Sequence, residues 1–191
     1  MRSVYCLRFG QRSQWVPSFA SPILSFPWRA ALPPLPLFEM FSPCTLCVHL
    51  QADKSIRIWN MDTGKCVRKL SGHSSHVVSV AWIPGCHDRL ISASWDETIK
   101  VWDLAQDTPS HTFVGHSGKV NCVCLSPDGD VVISGGEDKL VKLWRISNNE
   151  CFLTLQGHRD EVLAVAISPD GTIFASASKD KTIRTYRTMT V

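Results

Sequence analysis

One period governs most of this chain. Gly-His pairs stand at Gly72-His73, Gly115-His116 and Gly157-His158, spaced by 43 and 42 residues. Trp59, Trp102, Trp144 and Tyr186 recur at 43, 42 and 42 residues, and so do Asp53, Asp96, Asp138 and Asp180. Three kinds of marker keeping one period are the signature of a repeat architecture.

Inside each period the sequence reads as strand throughout. An apolar run follows each Gly-His: VVSVAW at 77–82, VNCVCL at 120–125 and VLAVAI at 162–167. Val is frequent and both faces are apolar, as in strands covered on both sides. A turn comes next, most plainly Ser126-Pro127-Asp128-Gly129 and Ser168-Pro169-Asp170-Gly171, where Pro presets φ and Gly supplies φ > 0. A second strand follows (LISAS, VVISGG, IFASAS), then a tight turn at the repeating Asp and a third strand (TIKVW, LVKLW, TIRTY). A polar loop leads to a fourth strand (CVRKL, HTFV, CFLTL), which runs into the next Gly-His.

Four short antiparallel strands in about 42 residues are the unit of a β-propeller blade. The markers stand as GH…D…WN, GH…D…WD, GH…D…WR and a final YR, and this pattern resembles the WD40 repeat family over residues 53–191. Among these markers only Trp102-Asp103 carries the namesake dipeptide. The resemblance implies an all-β fold: an incomplete WD40-type propeller of about three blades plus part of a first, behind a disordered or irregular N-terminal segment.

Each full repeat also holds a His, a Ser and an Asp: His73, Ser92 and Asp96; His116, Ser134 and Asp138; His158, Ser176 and Asp180. The trio looks like a hydrolase triad, but catalysis needs one triad and the chain has three, so no catalytic residue is expected. In WD40 proteins the matching positions form a structural network. The resemblance implies that the Asp accepts from the imidazole, which is linked to the Ser and to the indole of Trp102 or Trp144, with Tyr186 in that place in the last repeat. Trp is a pure donor and a carboxylate a pure acceptor, so His and Ser relay between them and no buried polar group stays unpaired. Tyr186 donates from a different reach. In the first repeat His49 stands at the Ser position and no Gly-His precedes it, so that network is expected to be incomplete and that blade the least stable.

The same resemblance places the Gly-His loops and the residues before each turn Asp on one rim, where WD40 proteins commonly bind partners. These residues are Ser75, His76 and Trp95; Gly118, Lys119 and Glu137; Asp160, Glu161 and Lys179. They differ between repeats while the scaffold positions agree. Trp95, a large aromatic outside the strand pattern, reads either as a binding anchor or as packing on its neighbouring loop.

Residues 1–51 are another kind of sequence. They hold seven of the 11 prolines, one of the 11 glycines and the whole net charge of +3, while residues 52–191 carry 16 basic and 16 acidic groups. Residues 1–35 read as unrelated, disordered sequence such as an alternative start or exon. A transit peptide is disfavoured because the prolines oppose its amphipathic helix. The PPLP run at 33–36 reads as linker rather than as a polyproline ligand. Residues 36–51 read as degenerate strands of a first blade, with LFEMF at 37–41 as a candidate strand.

Other chemistry is thin. Cys66, Cys122, Cys124 and Cys151 fall on predicted strands, where Cys behaves as a small hydrophobe. Cys44-x-x-Cys47 with His49 has the shape of half a zinc site, and Cys6 is at no fixed distance from it, so no metal is expected. Gly135-Gly136 lacks the following GK[ST] of a phosphate loop, and nothing calls for a cofactor. No apolar run reaches the ~18 residues of a membrane span. Reduced thiols and the lack of a secretory pattern point to the cytoplasm or nucleus.

The resulting expectation is a protein-interaction scaffold or adaptor whose partners are proteins or peptides. A subunit of an RNA-processing complex is the first alternative, disfavoured by the balanced charge of 52–191. A substrate receptor of a ubiquitin ligase is the second. Such receptors often carry Arg two places after the WD dipeptide, where this chain has Asp62, Ala105, Ser147 and Met189. A closed seven-blade disc needs about 300 residues, so the chain is expected to be a fragment or variant that self-associates or pairs through exposed blade edges.

Overall fold

The computed structural model describes residues 4–5, 46–50, 53–86, 88–106 and 108–188. The expectations placed on residues 6–45 (disorder to residue 35, the PPLP segment, a strand at 37–41, the Cys6 and Cys44 thiols) lie outside the described residues.

The described residues form β-strands, turns and loops, with no helix among them. The first sheet orders β1 (Val4–Tyr5), β2 (Leu46–Leu50), β3 (Ile56–Asn60) and β4 (Cys66–Leu70). The second orders β5 (Val77–Trp82), β6 (Arg89–Ser94), β7 (Thr98–Asp103) and β8 (Pro109–Val114). The third orders β9 (Val120–Leu125), β10 (Val131–Gly136), β11 (Val141–Arg145) and β12 (Glu150–Leu155). The fourth has three strands, β13 (Val162–Ile167), β14 (Ile173–Ser178) and β15 (Ile183–Arg187). All neighbours within a sheet are antiparallel, and the four sheets are the blades of an incomplete WD40-type propeller.

Local chemistry sets these strands. At Ser126–Gly129 the Gly129 amide donates to the Ser126 carbonyl at 2.9 Å, and the Ser126 hydroxyl bonds the Asp128 carboxylate. The Val131 amide then donates to that hydroxyl at 2.9 Å, which starts β10. The register slips at Trp59, Trp102 and Trp144, so the same bulge recurs where each third strand pairs its fourth. Such bulges bend a strand and increase its twist.

The core lies between the sheets rather than within one. Ile56, Ile58, Leu70, Val77, Leu90 and Trp102 join the first sheet to the second. Ile99, Val101, Phe113, Val123, Val132 and Trp144 are among those that join the second to the third. Cys122, Ile133, Val141, Leu143, Val162 and Phe174 join the third to the fourth. Polar bonds add to this along the inner strands: the Val123 amide donates to Ser79 Oγ at 3.2 Å, and Asn121 Nδ2 to the Val162 carbonyl at 3.1 Å. Ile56, Ile99 and Val141 share one place in the third strands and are 0, 0 and 1 % exposed, whereas Ile183 at that place in β15 is 74 % exposed. Among the described residues no fourth strand and no further sheet covers it.

Close approach limits side-chain size at these interfaces. A Cβ at Gly135 would sit 2.4 Å from Val162 Cγ1 and 3.0 Å from Cys122 Sγ. Gly135 is therefore the space that lets the fourth sheet seat Val162. Gly135→Ala should lower the unfolding free energy by about 1–3 kcal/mol, the usual effect of overpacking, measured by urea titration. An unchanged midpoint would show that the interface relaxes freely.

Candidate functional site

Two layers make up the site: a buried polar relay in the second, third and fourth sheets, and the rim that the relay holds in place. In the second sheet, His73 Nδ1–H donates to Asp96 Oδ2 at 2.7 Å. With Nδ1 committed, Nε2 of a neutral imidazole accepts the Ser92 hydroxyl proton at 2.7 Å, and the Trp102 indole N–H donates to Ser92 Oγ at 2.8 Å. The third sheet repeats this with His116, Asp138, Ser134 and Trp144, at 2.8 Å for all three bonds. In the fourth, His158 lies 3.0 Å from Asp180 Oδ2 and 2.8 Å from Ser176 Oγ. The amides of Ser74, Ser117 and Arg159 also donate to the three carboxylates, at 2.9, 3.1 and 2.8 Å. Each Asp thus ties a Gly-His loop to its tight turn.

One expected member stands apart. Tyr186 does not enter the fourth relay but stacks on Phe174, with ring centroids 4.9 Å apart. Its ring packs in the apolar interface, so it does not take the indole's role. Arg184 fills the vacated space. In the second and third sheets the indole lies under the glycine of Gly-His, where a Cβ at Gly115 would meet Trp144 at 3.1 Å. At Gly157 the same place is taken by the Arg184 guanidinium, which donates to the Gly157 carbonyl at 2.7 Å. The matching Lys100 and Lys142 instead bond Thr112 and Thr154 on the fourth strands, at 2.9 and 3.0 Å. In the first sheet, Asp53 binds Ser55, Arg57 and Lys69 rather than an imidazole, and the buried Trp59 indole N–H has no acceptor among the described residues.

The relay geometry copies a hydrolase triad down to the nitrogen used, yet its surroundings oppose catalysis. Ser92, Ser134 and Ser176 are 0, 0 and 1 % exposed, so no substrate carbonyl reaches their oxygens. In two of the three, the indole N–H also occupies an acceptor lone pair of the Ser oxygen. The thiols of Cys122 and Cys124 are pushed up to about 12 by burial, far from thiolate chemistry. Cys66 and Cys151, expected as small hydrophobes inside strands, are exposed on the outer strands β4 and β12, where no sheet of the described residues packs over them.

On the rim, one backbone bond recurs in three sheets. The Trp95 amide donates to the His76 carbonyl at 2.9 Å, Glu137 to Lys119 at 2.8 Å and Lys179 to Glu161 at 2.9 Å. The side chains on this common scaffold differ. His76 meets Trp95 edge-on, with centroids 5.1 Å apart. Lys119 Nζ pairs with Glu137 Oε1 at 3.3 Å, and Lys179 Nζ with Glu161 Oε1 at 3.2 Å, the signs reversed. His76, Trp95, Lys119 and Lys179 are exposed, while Ser75, Glu137, Asp160 and Glu161 are half-buried. Gly118 packs against the Glu137–Asp138 backbone, where a Cβ would come within 3.3 Å, so it shapes the rim. Sequence reasoning missed that Lys119 Nζ lies over the Trp95 ring, 5.4 Å from its centroid, and joins the second sheet to the third.

Blades with these relays define a β-propeller repeat protein, and comparison with known families says which. The chain belongs to the WD40 repeat family: the model for "WD domain, G-beta repeat" matches residues 64–103, 107–145 and 149–187, more than half of the chain. Similar proteins include the ribosome biogenesis protein WDR12 homolog of Nematostella vectensis, 45% identical over 76 residues (38% of this chain, 18% of that one). The nuclear distribution protein nudF 1 of Talaromyces marneffei is 41% identical over 85 residues, 44% of this chain and 18% of that one. Coatomer subunit beta'-2 of Oryza sativa is 41% identical over 73 residues, 38% of this chain and 8% of that one. The matches thus span less than a fifth of these relatives' length. Repeats of this family serve as protein-interaction scaffolds.

Two measurements probe the relay. Asp138→Ala leaves the His116 imidazole and the Ser117 and Leu140 amides without their acceptor. It should destabilise the chain by about 3 kcal/mol in urea titration, and no change would contradict a relay that bears on stability. The second variable is pH. Burial works to raise the Asp96 and Asp138 carboxyls, but hydrogen bonds led by His73 and His116 more than offset it and hold both below the usual range. The hydroxyls of Ser55 and Ser168 hold Asp53 and Asp170 at about 2. A carboxyl held below its unfolded value of about 3.9 contributes stability that is fully present above that value and lost as pH falls. Among these groups stability should be flat from about pH 7 to 5 and fall between about pH 4 and 2. A urea midpoint constant down to pH 2 would contradict this.

Proposed function

We propose that this chain is a non-enzymatic interaction module of the cytoplasm or nucleus, and that the rim formed by Ser75, His76, Trp95, Gly118, Lys119, Glu137, Asp160, Glu161 and Lys179 docks partner proteins. One observation carries the reading: three equivalent backbone-bonded pairs present His76/Trp95, Lys119/Glu137 and Glu161/Lys179 on one scaffold. A surface with only structural duties has no need for three different chemistries in one geometry. Trp95, 40 % exposed, is the anchor, since aromatic side chains dominate interface energetics. Paired charges of both signs favour a protein surface over a phosphate backbone, which calls for a basic stripe. Ribosome biogenesis and assembly appear in the names of two relatives, and an RNA-linked complex remains the alternative setting for the same rim.

A second reading, self-association through the fourth sheet, is favoured by the exposure of Ile183 together with Leu163 and Ile173. Sedimentation of the full chain beside Ile183→Glu tests it: association should be lost in the variant, and a wild-type monomer would refute it.

The rim is tested by affinity capture with the full chain and with Trp95→Ala. The variant should lose at least about tenfold in capture of a specific partner, while its melting temperature stays within about 3 °C. Unchanged capture, or a large loss of stability, would contradict the docking role of Trp95.

A further inference from the structure

Around Trp95 the rim already binds a cation, and that cation is the chain's own. Lys119 Nζ stands 5.4 Å from the centroid of the Trp95 ring and 3.3 Å from Glu137 Oε1. An ammonium within about 6 Å over an indole face is attracted by the ring quadrupole. His76 meets the indole in a T-shaped contact with ring centroids 5.1 Å apart. The turn that carries Trp95 continues with Asp96 and Glu97, so the sequence beside the indole is acidic. Lys179 feels Glu137 from the fourth sheet but is hydrogen-bonded to Glu161 at 3.2 Å, which leaves Glu137 as the hydrogen-bond partner of Lys119.

We propose that the Trp95 face and the Glu137 carboxylate form an arginine clamp, with Lys119 as an exchangeable internal occupant. The proposal rests on the reading of this rim as a docking surface and names the partner chemistry: an arginine side chain presented by an extended protein segment. Exchange is cheap because Glu137 keeps a counter-cation throughout, and the released Lys119 ammonium returns to water. Arginine gains over the lysine it displaces. Its planar guanidinium stacks on the indole and offers a carboxylate two parallel N–H donors, whereas an ammonium is a compact, strongly hydrated point charge. A lysine of the partner would replace like with like. An acidic side chain would meet the Glu137 carboxylate.

The test titrates the full chain with N-acetyl-arginine amide, with the citrulline and glutamate analogues as controls. The Trp95 indole N–H signal is followed by NMR and assigned through its absence in Trp95→Phe. Arginine should move the signal with millimolar affinity, and citrulline, the neutral isostere, should not. Lys119→Met, which empties the clamp, should tighten binding about threefold or more. Glu137→Gln should weaken it about fivefold or more. Thermal melts of both variants, each at a partly exposed site, confirm that they fold. A silent indole signal in wild type and Lys119→Met alike overturns the clamp, as does a citrulline or glutamate response equal to that of arginine. If capture of a protein partner still depends on Trp95 in that case, the clamp fails and the docking rim stands. If capture ignores Trp95, the docking rim itself fails.

Discussion

A sheet with two apolar faces has to find a neighbour on each, and this constraint shapes the whole molecule. Every core group here is shared between adjacent sheets: Trp102 faces the first sheet while Ile99 and Val101 of the same strand face the third. Stability is therefore set at the interfaces, as in repeat proteins generally. Gly135 shows how closely one of them is drawn, since there is no room for a methyl group beside Val162. Ile183 shows the converse, a core residue by position that lies open to solvent.

Apolar packing fixes the sheets but not the loops above them. The polar relays do that. In the second and third sheets each carries a chain of donors from an indole through a hydroxyl and an imidazole to a carboxylate, and in the fourth the chain starts at the hydroxyl; each link is buried or nearly so. A buried network of this kind rigidifies only when every member is satisfied. Its consequence for function is indirect. With loop and turn held by Asp96, Asp138 and Asp180, the residues beside them are free to vary, and they carry an aromatic pair and two ion pairs of opposite sense.

Much of this was legible in the sequence because the repeat is written in residues with few alternative uses. The apolar runs at 77–82, 120–125 and 162–167 are strands with those bounds, and in each of those repeats the His lies within hydrogen-bond distance of the Asp and the Ser. What escaped was set by neighbours far apart in sequence. Tyr186 looked like a substitute for an indole, yet Phe174 across the sheet gave its ring a stacking partner. Arg184 occupies a position that is basic in all four third strands, and at Gly157 it stands where the second and third sheets place an indole. The contact of Lys119 with Trp95 crosses between sheets and leaves no mark in the period. Cys66 and Cys151 sit in strands that, among the described residues, leave them exposed.

Indole hydrogen exchange separates scaffold from rim in one experiment. Within the chain, Trp102 and Trp144 donate into buried relays, and Trp95 stands on the exposed rim. Groups in a cooperative core exchange only on larger-scale opening, and exposed ones exchange freely. The Nε1 protons of Trp102 and Trp144 should be protected by a factor of about 1,000 or more, and that of Trp95 by less than about 10. Exchange of Trp102 and Trp144 at the rate of Trp95 would contradict a rim carried on rigid relays.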